Sequence, residues 1–208
     1  MTSIYYTSCK KLPENEYKQL TKLLPKNMQE RLSKFLRWQD AYSYLYGKLL
    51  LRTSMLQFGY NHSLEFIKMT KHGKPYFENS PFAFNISHSE EYVVCAISND
   101  EKVSLGIDIE KVKPIELNSF SSVFSPEEKQ EINSYNKFYT CWTRKEAVVK
   151  ADGRGLTIPL NTINTLNLST KLENEKYYLS RVDINKGYIA HIASQTKIEK
   201  MNVINFCF

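Results

Sequence analysis

The sequence is poor in several features that would define a class of protein. Its 208 residues include only 7 glycines and 7 prolines, which excludes a low-complexity or linker-like chain. No segment approaches the roughly 20 apolar residues of a transmembrane helix, and the first residues, MTSIYYTSCKKL, lack the apolar core of a signal peptide. The four cysteines are scattered and form no CxxC pair, which argues against a zinc site and suggests a reducing compartment. We therefore expect a cytoplasmic protein with no membrane partner.

The common nucleotide-binding and hydrolase motifs are also absent, because no P-loop, GxGxxG or GxSxG sequence occurs. A hydrophobic content of 42% and a charged content of 24% are ordinary for a globular protein, and the length allows one large domain or two small ones. The net charge of +6 favours anionic partners, such as nucleic acids, phosphorylated small molecules or acidic proteins, without choosing among them.

The order of predicted elements suggests two halves, each combining helices with strands. A long helical pattern runs from Trp38 to about Phe58, and KFYTCWTRKEAVVKA predicts a second long helix that DGRG ends. The strand YVVCAIS at 92–98 resembles YIAHIAS at 188–194, an offset of 188 − 92 = 96 residues, which is close to half the chain. Either β-branched strands merely look alike, or the chain is a duplication whose two similar α+β halves enclose a cleft, the default place for a site.

Two acidic residues stand in the apolar stretch LGIDIEKVKP, Leu105–Pro114. In a strand, Asp108 and Glu110 share one face and the intervening isoleucines take the other. The two charges repel unless something offsets them. The pattern therefore indicates either a solvated strand face or a site for a hard cation such as Mg²⁺, which prefers oxygen ligands.

Two further motifs carry groups that suit the same chemistry. In WTRKEAVVK, Glu146 and Lys150 are four residues apart and share a helix face. They could form a surface salt bridge. Alternatively, on a half-buried helix, they could add a third carboxylate and a cation to the site. The stretch NISHS supplies Ser87 and His88 just before a strong strand, where they suit phosphate contact, although a histidine in a purely structural role is the alternative.

Taken in order, HGKP, FNISHS, GIDIEKVKP and WTRKEAVVKADGRGL resemble the signature of the 4'-phosphopantetheinyl transferases, and more narrowly the surfactin-activator (Sfp-like) type. With KFLRWQDAYSYLYGKLLLR, the resemblance spans about residues 31 to 160. It implies an α+β pseudo-dimer of two similar halves, residues 1–104 and 105–208, each a small antiparallel sheet with packed helices. Coenzyme A would lie in the cleft between them.

The resemblance implies a holo-carrier-protein synthase. Such an enzyme transfers the 4'-phosphopantetheine moiety of coenzyme A to a serine of an apo acyl or peptidyl carrier protein, with Mg²⁺, and releases 3',5'-ADP. Asp108, Glu110 and Glu146 would hold the Mg²⁺ against the pyrophosphate of coenzyme A. Lys150 would bind the same group and offset charge in the transition state. Glu146 or a metal-bound water would accept the proton of the serine.

The resemblance also implies which residues bind coenzyme A. Lys74 and Pro75 would flank the adenine, largely through their backbone. Ser87 and His88 would contact the phosphates. Arg31 would bind the 3'-phosphate, and Lys34 and Arg37 would add positive charge around it. The chain departs from the Sfp-like pattern at Met28, where that type has a basic residue, and at Tyr44, where it has threonine. How the 3'-phosphate is held stays open, with Lys26 and the Tyr44 hydroxyl as candidates.

For the carrier protein we expect a docking site at NSFSSVF, Asn118–Phe124, because Phe120 and Phe124 could serve as exposed apolar anchors, with Lys111 and Lys113 meeting an acidic partner. Buried phenylalanines are the alternative. The resemblance implies a monomer that binds no nucleic acid. It does not indicate whether the carrier protein belongs to fatty acid, polyketide or nonribosomal peptide biosynthesis. A metal-dependent nuclease and a non-catalytic module that binds coenzyme A or a carrier protein are the competing hypotheses.

Overall fold

The computed structural model describes residues 1–100 and 103–208, with the backbone alone for Leu156. Within these residues the chain is α+β, as predicted, with two four-stranded sheets, a short hairpin and two long helices. No helix in the described part of the chain combines the length and the apolarity that crossing a bilayer requires.

The first half begins with a strand and three helices and ends with a hairpin and two longer strands. Its elements are β1 (Thr2–Ser8), α1 (Glu14–Thr21), α2 (Lys26–Leu32), α3 (Trp38–Gln57), β2 (Ile67–Met69), β3 (Pro75–Phe77), β4 (Ala83–Ser89) and β5 (Tyr92–Ser98). The apolar side of α3, including Leu45, Leu49 and Leu50, packs with Val93, Cys95 and Ile97 of β5 in one buried cluster. Burial of this surface fixes α3 against the sheet.

The second half follows the same plan. Its elements are β6 (Leu105–Lys111), α4 (Pro126–Glu131), α5 (Tyr135–Asp152), β7 (Ser169–Leu172), β8 (Glu175–Val182), β9 (Tyr188–Ser194) and β10 (Met201–Asn205). Short 3₁₀ turns cover Leu64–Phe66, Leu117–Val123, Gly155–Thr157 and Leu160–Thr162. Sequence periodicity did not indicate β7, which is only four residues long. The second long helix ends, as expected from DGRG, at Gly153, whose φ of +90° is the left-handed conformation that glycine adopts without strain.

The two halves share one strand order, which confirms the prediction of two similar α+β units. The first sheet contains β1-β5-β4 and the second β6-β9-β8, with every one of these neighbours antiparallel. The similar strands β5 and β9 occupy the centre of each set, and α3 and α5 pack against them. The division at residues 104 and 105 stays a prediction, and β10 crosses it, because this strand pairs in parallel with β1 of the first sheet.

An apolar cluster and a line of hydrogen bonds join the two halves. Ile4 and Val94 of the first sheet pack with Ile107 and Ile109 of the second, and all four are fully buried. Beside this cluster, the free edge of β6 faces β4, and the backbone N–H of Ile107 donates to Asn85 Oδ1 at 3.0 Å. Because side chains of β4 satisfy this buried edge, the two sheets meet without forming a continuous ladder, and a cleft remains along the junction.

Candidate active site

A glycine in β6 sets the distance between this strand and α5. A Cβ atom at Gly106 would lie 2.1 Å from the carbonyl oxygen of Ala147 and 2.3 Å from the backbone nitrogen of Ala151. Only glycine therefore allows the helix to lie directly on the strand. Sequence reasoning missed this role, although a glycine inside a strand pattern is a signal of close backbone approach. The approach brings Glu146 and Lys150 beside the acidic face of the strand.

The charge of Asp108 is offset by Lys150 from the facing helix. Lys150 Nζ lies 2.6 Å from Asp108 Oδ1 and 2.9 Å from Ser87 Oγ, and Ser87 itself donates to Asp108 Oδ1 at 3.0 Å. Asp108 is only 4% exposed. Three predicted site residues from β4, β6 and α5 thus form one hydrogen-bonded cluster, in which Ser87 and Asp108 are buried and Lys150 is partly exposed. Among the described ion pairs Lys150 bonds Asp108, so the alternative of a surface bridge from Lys150 to Glu146 is wrong.

The other two carboxylates lie close to this cluster. Ser89 donates to Glu110 Oε2 at 2.8 Å, a contact that the sequence pattern did not predict. Burial is the main cause that raises the pKa of Asp108, of Glu110 and of Glu146. The charge of Asp108 raises the pKa of the other two further, whereas Lys150 lowers the pKa of all three. The three predicted ligands therefore lie within electrostatic reach of one another.

The fit of these residues to a cation can be tested on the carboxylate oxygens. In the part of the chain that the structure describes, no group of three or more His, Cys, Asp or Glu side chains is arranged to hold a metal ion. Lys150 and Ser87 donate hydrogen bonds to the same oxygen of Asp108, and Ser89 donates to one oxygen of Glu110. The second oxygen of Asp108 is buried and has no hydrogen-bond partner, which is costly for a carboxylate. Donor chemistry therefore suits a hard cation, and the ligand assignment stays a prediction.

Two adjoining cavities open beside the cluster. The carboxylate cavity, about 310 Å³, is lined by Lys74 and Pro75 of the first half and by Glu146 and Lys150 of the second. The basic cavity, about 370 Å³, is lined by several groups on or near α3 and β4, including Arg31, Tyr44, Lys48 and His88. Both share Pro75 and Ile86, so they are neighbouring parts of one cleft.

A larger cavity, about 630 Å³, lies on the other side of Lys74 and Pro75. It is lined by aromatic residues such as Phe77 and Phe84 and contains none of the three carboxylates. Its size therefore does not make it the centre of the chemistry.

The predicted binding residues are distributed unevenly over this cleft. Arg31 and His88 line the basic cavity, whereas Lys34 is exposed and lines neither cavity. Partial burial lowers the pKa of His88, and the Lys150 charge lowers it further. Ser87 is buried within the Asp108–Lys150 cluster rather than lining a cavity. Lys74 lines the carboxylate cavity, but its ammonium donates to backbone carbonyls, including that of Ala151 at 2.7 Å.

The two departures from the Sfp-like pattern have structural consequences. Met28 is only 7% exposed and packs in the core of the first half, and Lys26 is exposed and lines neither cavity. Two cations lie close to the ring of Tyr44, with the Arg31 guanidinium carbon 5.2 Å and Lys48 Nζ 5.4 Å from its centroid. Lys48, one helical turn after Tyr44, is thus a second basic group in this cavity, which sequence reasoning missed.

The predicted carrier-docking segment is packed rather than exposed. Phe124 is only 3% exposed, with its ring 5.2 Å from that of Phe138. Phe120 is partly buried against the same Phe138 ring, 5.4 Å away, and against Trp142. The prediction of exposed anchors is therefore wrong for Phe124, and Phe120 belongs to the same cluster. The reason is that the 3₁₀ turn folds back onto α5.

The lysines expected beside that segment have acidic partners within the chain. Lys111 Nζ lies 3.5 Å from Glu91, and Lys113 forms an ion pair with Glu90. Both lysines are therefore already paired with acidic residues of this chain, rather than free to bind an acidic partner protein.

Two family models match the chain, one over each half. The model described as the N-terminal part of 4'-phosphopantetheinyl transferase matches residues 12–100, and the model of the 4'-phosphopantetheinyl transferase superfamily matches residues 104–193. Together they cover most of the chain and both sides of the cleft.

Curated relatives point the same way. The 4'-phosphopantetheinyl transferase gsp of Aneurinibacillus migulanus is 36% identical over 151 residues, which are 69% of this chain and 62% of that protein. The 4'-phosphopantetheinyl transferase Sfp of Bacillus subtilis is 28% identical over 193 residues, 85% of this chain and 84% of the relative. A Schizosaccharomyces pombe protein, L-aminoadipate-semialdehyde dehydrogenase-phosphopantetheinyl transferase, is 33% identical over 138 residues, 55% of this chain and 54% of its own length. The chain belongs to the 4'-phosphopantetheinyl transferase superfamily, a family of enzymes, and within it to the Sfp-like type.

Proposed function

We propose that this protein transfers the 4'-phosphopantetheine moiety of coenzyme A to a serine of an apo acyl or peptidyl carrier protein and releases 3',5'-ADP. The observation that carries the proposal is the junction of the two cavities. The basic cavity adjoins a cavity that is lined by Glu146 and Lys150, and Lys150 is bonded to Asp108 behind that lining. An elongated, anionic cofactor with phosphates at two places suits this arrangement. We extend the proposal to a monomer that acts in the cytoplasm and takes no nucleic acid as its substrate.

The basic cavity is where we place the 3'-phosphate. Arg31 and Lys48 both line this cavity and both lie near the ring of Tyr44, and the ammonium of Lys48 donates a hydrogen bond to no described residue. Burial lowers the pKa of Lys48, and Arg31 lowers it further, because two nearby cations repel. A doubly charged phosphate offsets that repulsion and supplies the missing acceptor. Lys48 then takes the place of the basic group that Met28 does not provide.

The carboxylate cavity is where we place the pyrophosphate and the reaction. The carrier serine attacks the phosphorus that bears pantetheine, and the bond from that phosphorus to the bridging oxygen breaks, so that 3',5'-ADP leaves with the electron pair. Glu146, which lines this cavity, accepts the serine proton. Lys150 offsets the negative charge that develops on the phosphoryl oxygens.

We also propose that Mg²⁺ takes part, held by Asp108, Glu110 and Glu146. When bound, the cation supplies charge neutralisation at the pyrophosphate. The unpartnered buried oxygen of Asp108 supports this assignment. Thermal unfolding tests it without turnover: Mg²⁺ with coenzyme A should raise the midpoint of the wild type more than coenzyme A alone, and Asp108→Asn should lose that increment. An equal increment in the variant would remove Asp108 from the ligand set.

The transfer itself is tested by incubating the protein with coenzyme A, Mg²⁺ and an apo carrier, followed by intact mass. The expected result is a gain of one phosphopantetheine on the carrier and one 3',5'-ADP in the small-molecule fraction. Lys26→Ala is the matched control, because Lys26 is exposed and lines neither cavity. No gain on either an acyl or a peptidyl carrier, together with tight, salt-sensitive DNA binding, would favour the nuclease hypothesis instead.

A further inference from the structure

The side chain of Lys74 connects the two halves at the back of the cleft. Lys74 ends the turn between β2 and β3, in the first half. Its ammonium donates to the carbonyl oxygen of Ala151 at 2.7 Å and to that of Leu105 at 3.3 Å. Ala151 lies in the last turn of α5, and Leu105 opens β6. One side chain of the first half is therefore bonded to both elements that carry the predicted catalytic and metal-binding groups.

The end of α5 is shaped to receive this side chain. The last carbonyl groups of a helix have no partner within it, and they form the negative end of the helix dipole, which a cation stabilises. At Gly153 a Cβ atom would lie 2.9 Å from Lys74 Cδ. Glycine at this position thus serves the left-handed end of the helix and also leaves room for the aliphatic part of Lys74.

The backbone of the same residue forms part of the cofactor cleft. The Lys74 N–H donates to Thr70 Oγ1 at 3.1 Å, and the Lys74 carbonyl accepts from the Thr70 N–H at 2.9 Å, so the turn itself is tightly held. Lys74 and Pro75 line the carboxylate cavity, and Pro75 lines the basic cavity as well. A shift of this turn relative to α5 would therefore change the width of the cleft.

We propose that Lys74 is a positioning residue: its ammonium bonds the cofactor-binding turn of the first half to the end of α5, and this bond sets the affinity for coenzyme A. The inference rests on the proposed function and deepens it. It assigns to the side chain a role distinct from that of the backbone, which the family resemblance places at the adenine.

The charge of Lys74 supports this role at neutral pH. Burial lowers the pKa of Lys74 to about 8, and Asp152 opposes that effect. The other ionisable groups around it are His72, Glu146 and Lys150, which line the same cavity. Because the folded-state pKa of Lys74 is about 8, the ammonium predominates at pH 7 and is lost as the pH rises through about 8. A neutral amine interacts less strongly with the end of the helix, so affinity should fall between pH 7 and pH 9.

Two variants separate positioning from simple capping of the helix. Lys74→Met keeps the aliphatic length and removes the ammonium. Ser104→Ala is the matched control, because Ser104 Oγ donates to the same Ala151 carbonyl but does not belong to the turn. At pH 7 we expect Lys74→Met to raise the KM for coenzyme A and the Kd for 3',5'-ADP about tenfold, with kcat and the KM for carrier within about twofold. Ser104→Ala should leave all four constants near wild type, and Lys74→Met should lose the wild-type fall in 3',5'-ADP affinity above pH 8.

The outcomes distinguish this inference from the proposed function. A wild type that transfers no phosphopantetheine refutes the function, whereas an active wild type with equal effects, or no effects, in the two variants refutes the positioning role. If Lys74→Met does not fold, Lys74→Gln, which keeps a shorter polar side chain, is measured in its place. An unchanged KM for coenzyme A in that variant would likewise overturn the inference.

Discussion

Gly106→Ala should separate α5 from β6 and thereby disassemble the candidate active site. The added methyl carbon would lie 2.1 Å from the carbonyl oxygen of Ala147 and 2.3 Å from the nitrogen of Ala151. Favourable separations between such atoms are about 3.5 Å, so the overlap exceeds 1 Å. Both contacts are backbone atoms of a helix, which cannot rotate away as a side chain would. The helix must therefore move by about 1 Å.

The magnitude follows from that displacement. Overpacking of a core costs about 1–3 kcal/mol, and the upper end applies because the backbone has to yield. For a chain of this size that cost lowers the unfolding midpoint by roughly 5–10 °C. Catalysis should suffer more, because a misplacement of about 1 Å can cost about a hundredfold in rate. The bond of 2.6 Å between Lys150 and Asp108 would be the first contact to be lost.

The assay combines thermal unfolding with phosphopantetheinyl transfer at a temperature well below both midpoints. Gly47→Ala is the matched control for stability. The nearest atoms to its Cβ would be side-chain methyls, of Ile86 at 3.2 Å and of Val93 at 3.6 Å, and alanine is favoured over glycine inside a helix by about 1 kcal/mol. We expect this control to unfold within a few degrees of wild type. If Gly106→Ala keeps both the wild-type midpoint and the wild-type rate, the packing of α5 on β6 does not position the site.

Three further predictions concern single ionisable groups. Lys150→Ala should lower kcat about a hundredfold while changing the Kd for coenzyme A less than tenfold, because the Lys150 charge acts mainly in the transition state. Steady-state kinetics measures kcat and calorimetric titration measures the Kd; equal changes in kcat and in the Kd would contradict this prediction. Lys48→Met should reduce the preference for coenzyme A over its 3'-dephospho form about tenfold or more, in a competition assay where Lys26→Ala changes nothing. Burial lowers the pKa of His191 to about 3, so each pH unit below the unfolded-state value of about 6.5 should cost the folded state about 1.4 kcal/mol. Urea unfolding at pH 7 and pH 5 should therefore show a steeper loss of stability in the wild type than in His191→Gln, and parallel losses would refute the assignment.

Local periodicity was sufficient to predict what depends on neighbouring residues in the chain. The alternation in LGIDIE placed Asp108 and Glu110 on one face of a strand, and the structure has that strand at Leu105–Lys111. Ser125 before Pro-Glu-Glu is a pattern typical of a helix start, and the structure forms a capping box there with Glu128. Each of these features is decided by backbone geometry within a few residues.

Features that depend on distant partners could not be predicted in this way. Lys150 has the spacing of a surface bridge to Glu146, yet its partner is Asp108, 42 residues away in sequence. Lys145 likewise looks like one more helical lysine, but it is fully buried in an ion pair of 2.6 Å with Glu128. A sequence pattern shows which residue could be charged and which face it occupies. Only the packing of β6, α4 and α5 decides which opposite charge it meets.

Comparison of the two halves shows why the chemistry needs both of them. When the similar strands β5 and β9 are aligned by sequence, Cys95 corresponds to His191; Tyr5 pairs with Cys95 in the first sheet, and Asp108 pairs with His191 in the second. The second half therefore carries a carboxylate beneath α5 at the position where the first half carries a phenol ring beneath α3.

The first half contributes neutral donors to those carboxylates instead. Ser87 and Ser89 of β4 donate to Asp108 and Glu110 across the junction, while the isoleucines on the opposite face of β6 pack into the core between the sheets. A separated second half would expose those isoleucines and leave the buried Asp108 and the half-buried Glu110 without these donors, so separation would carry both costs. Any motion that opens the junction therefore removes hydrogen bonds from the acidic groups of the site.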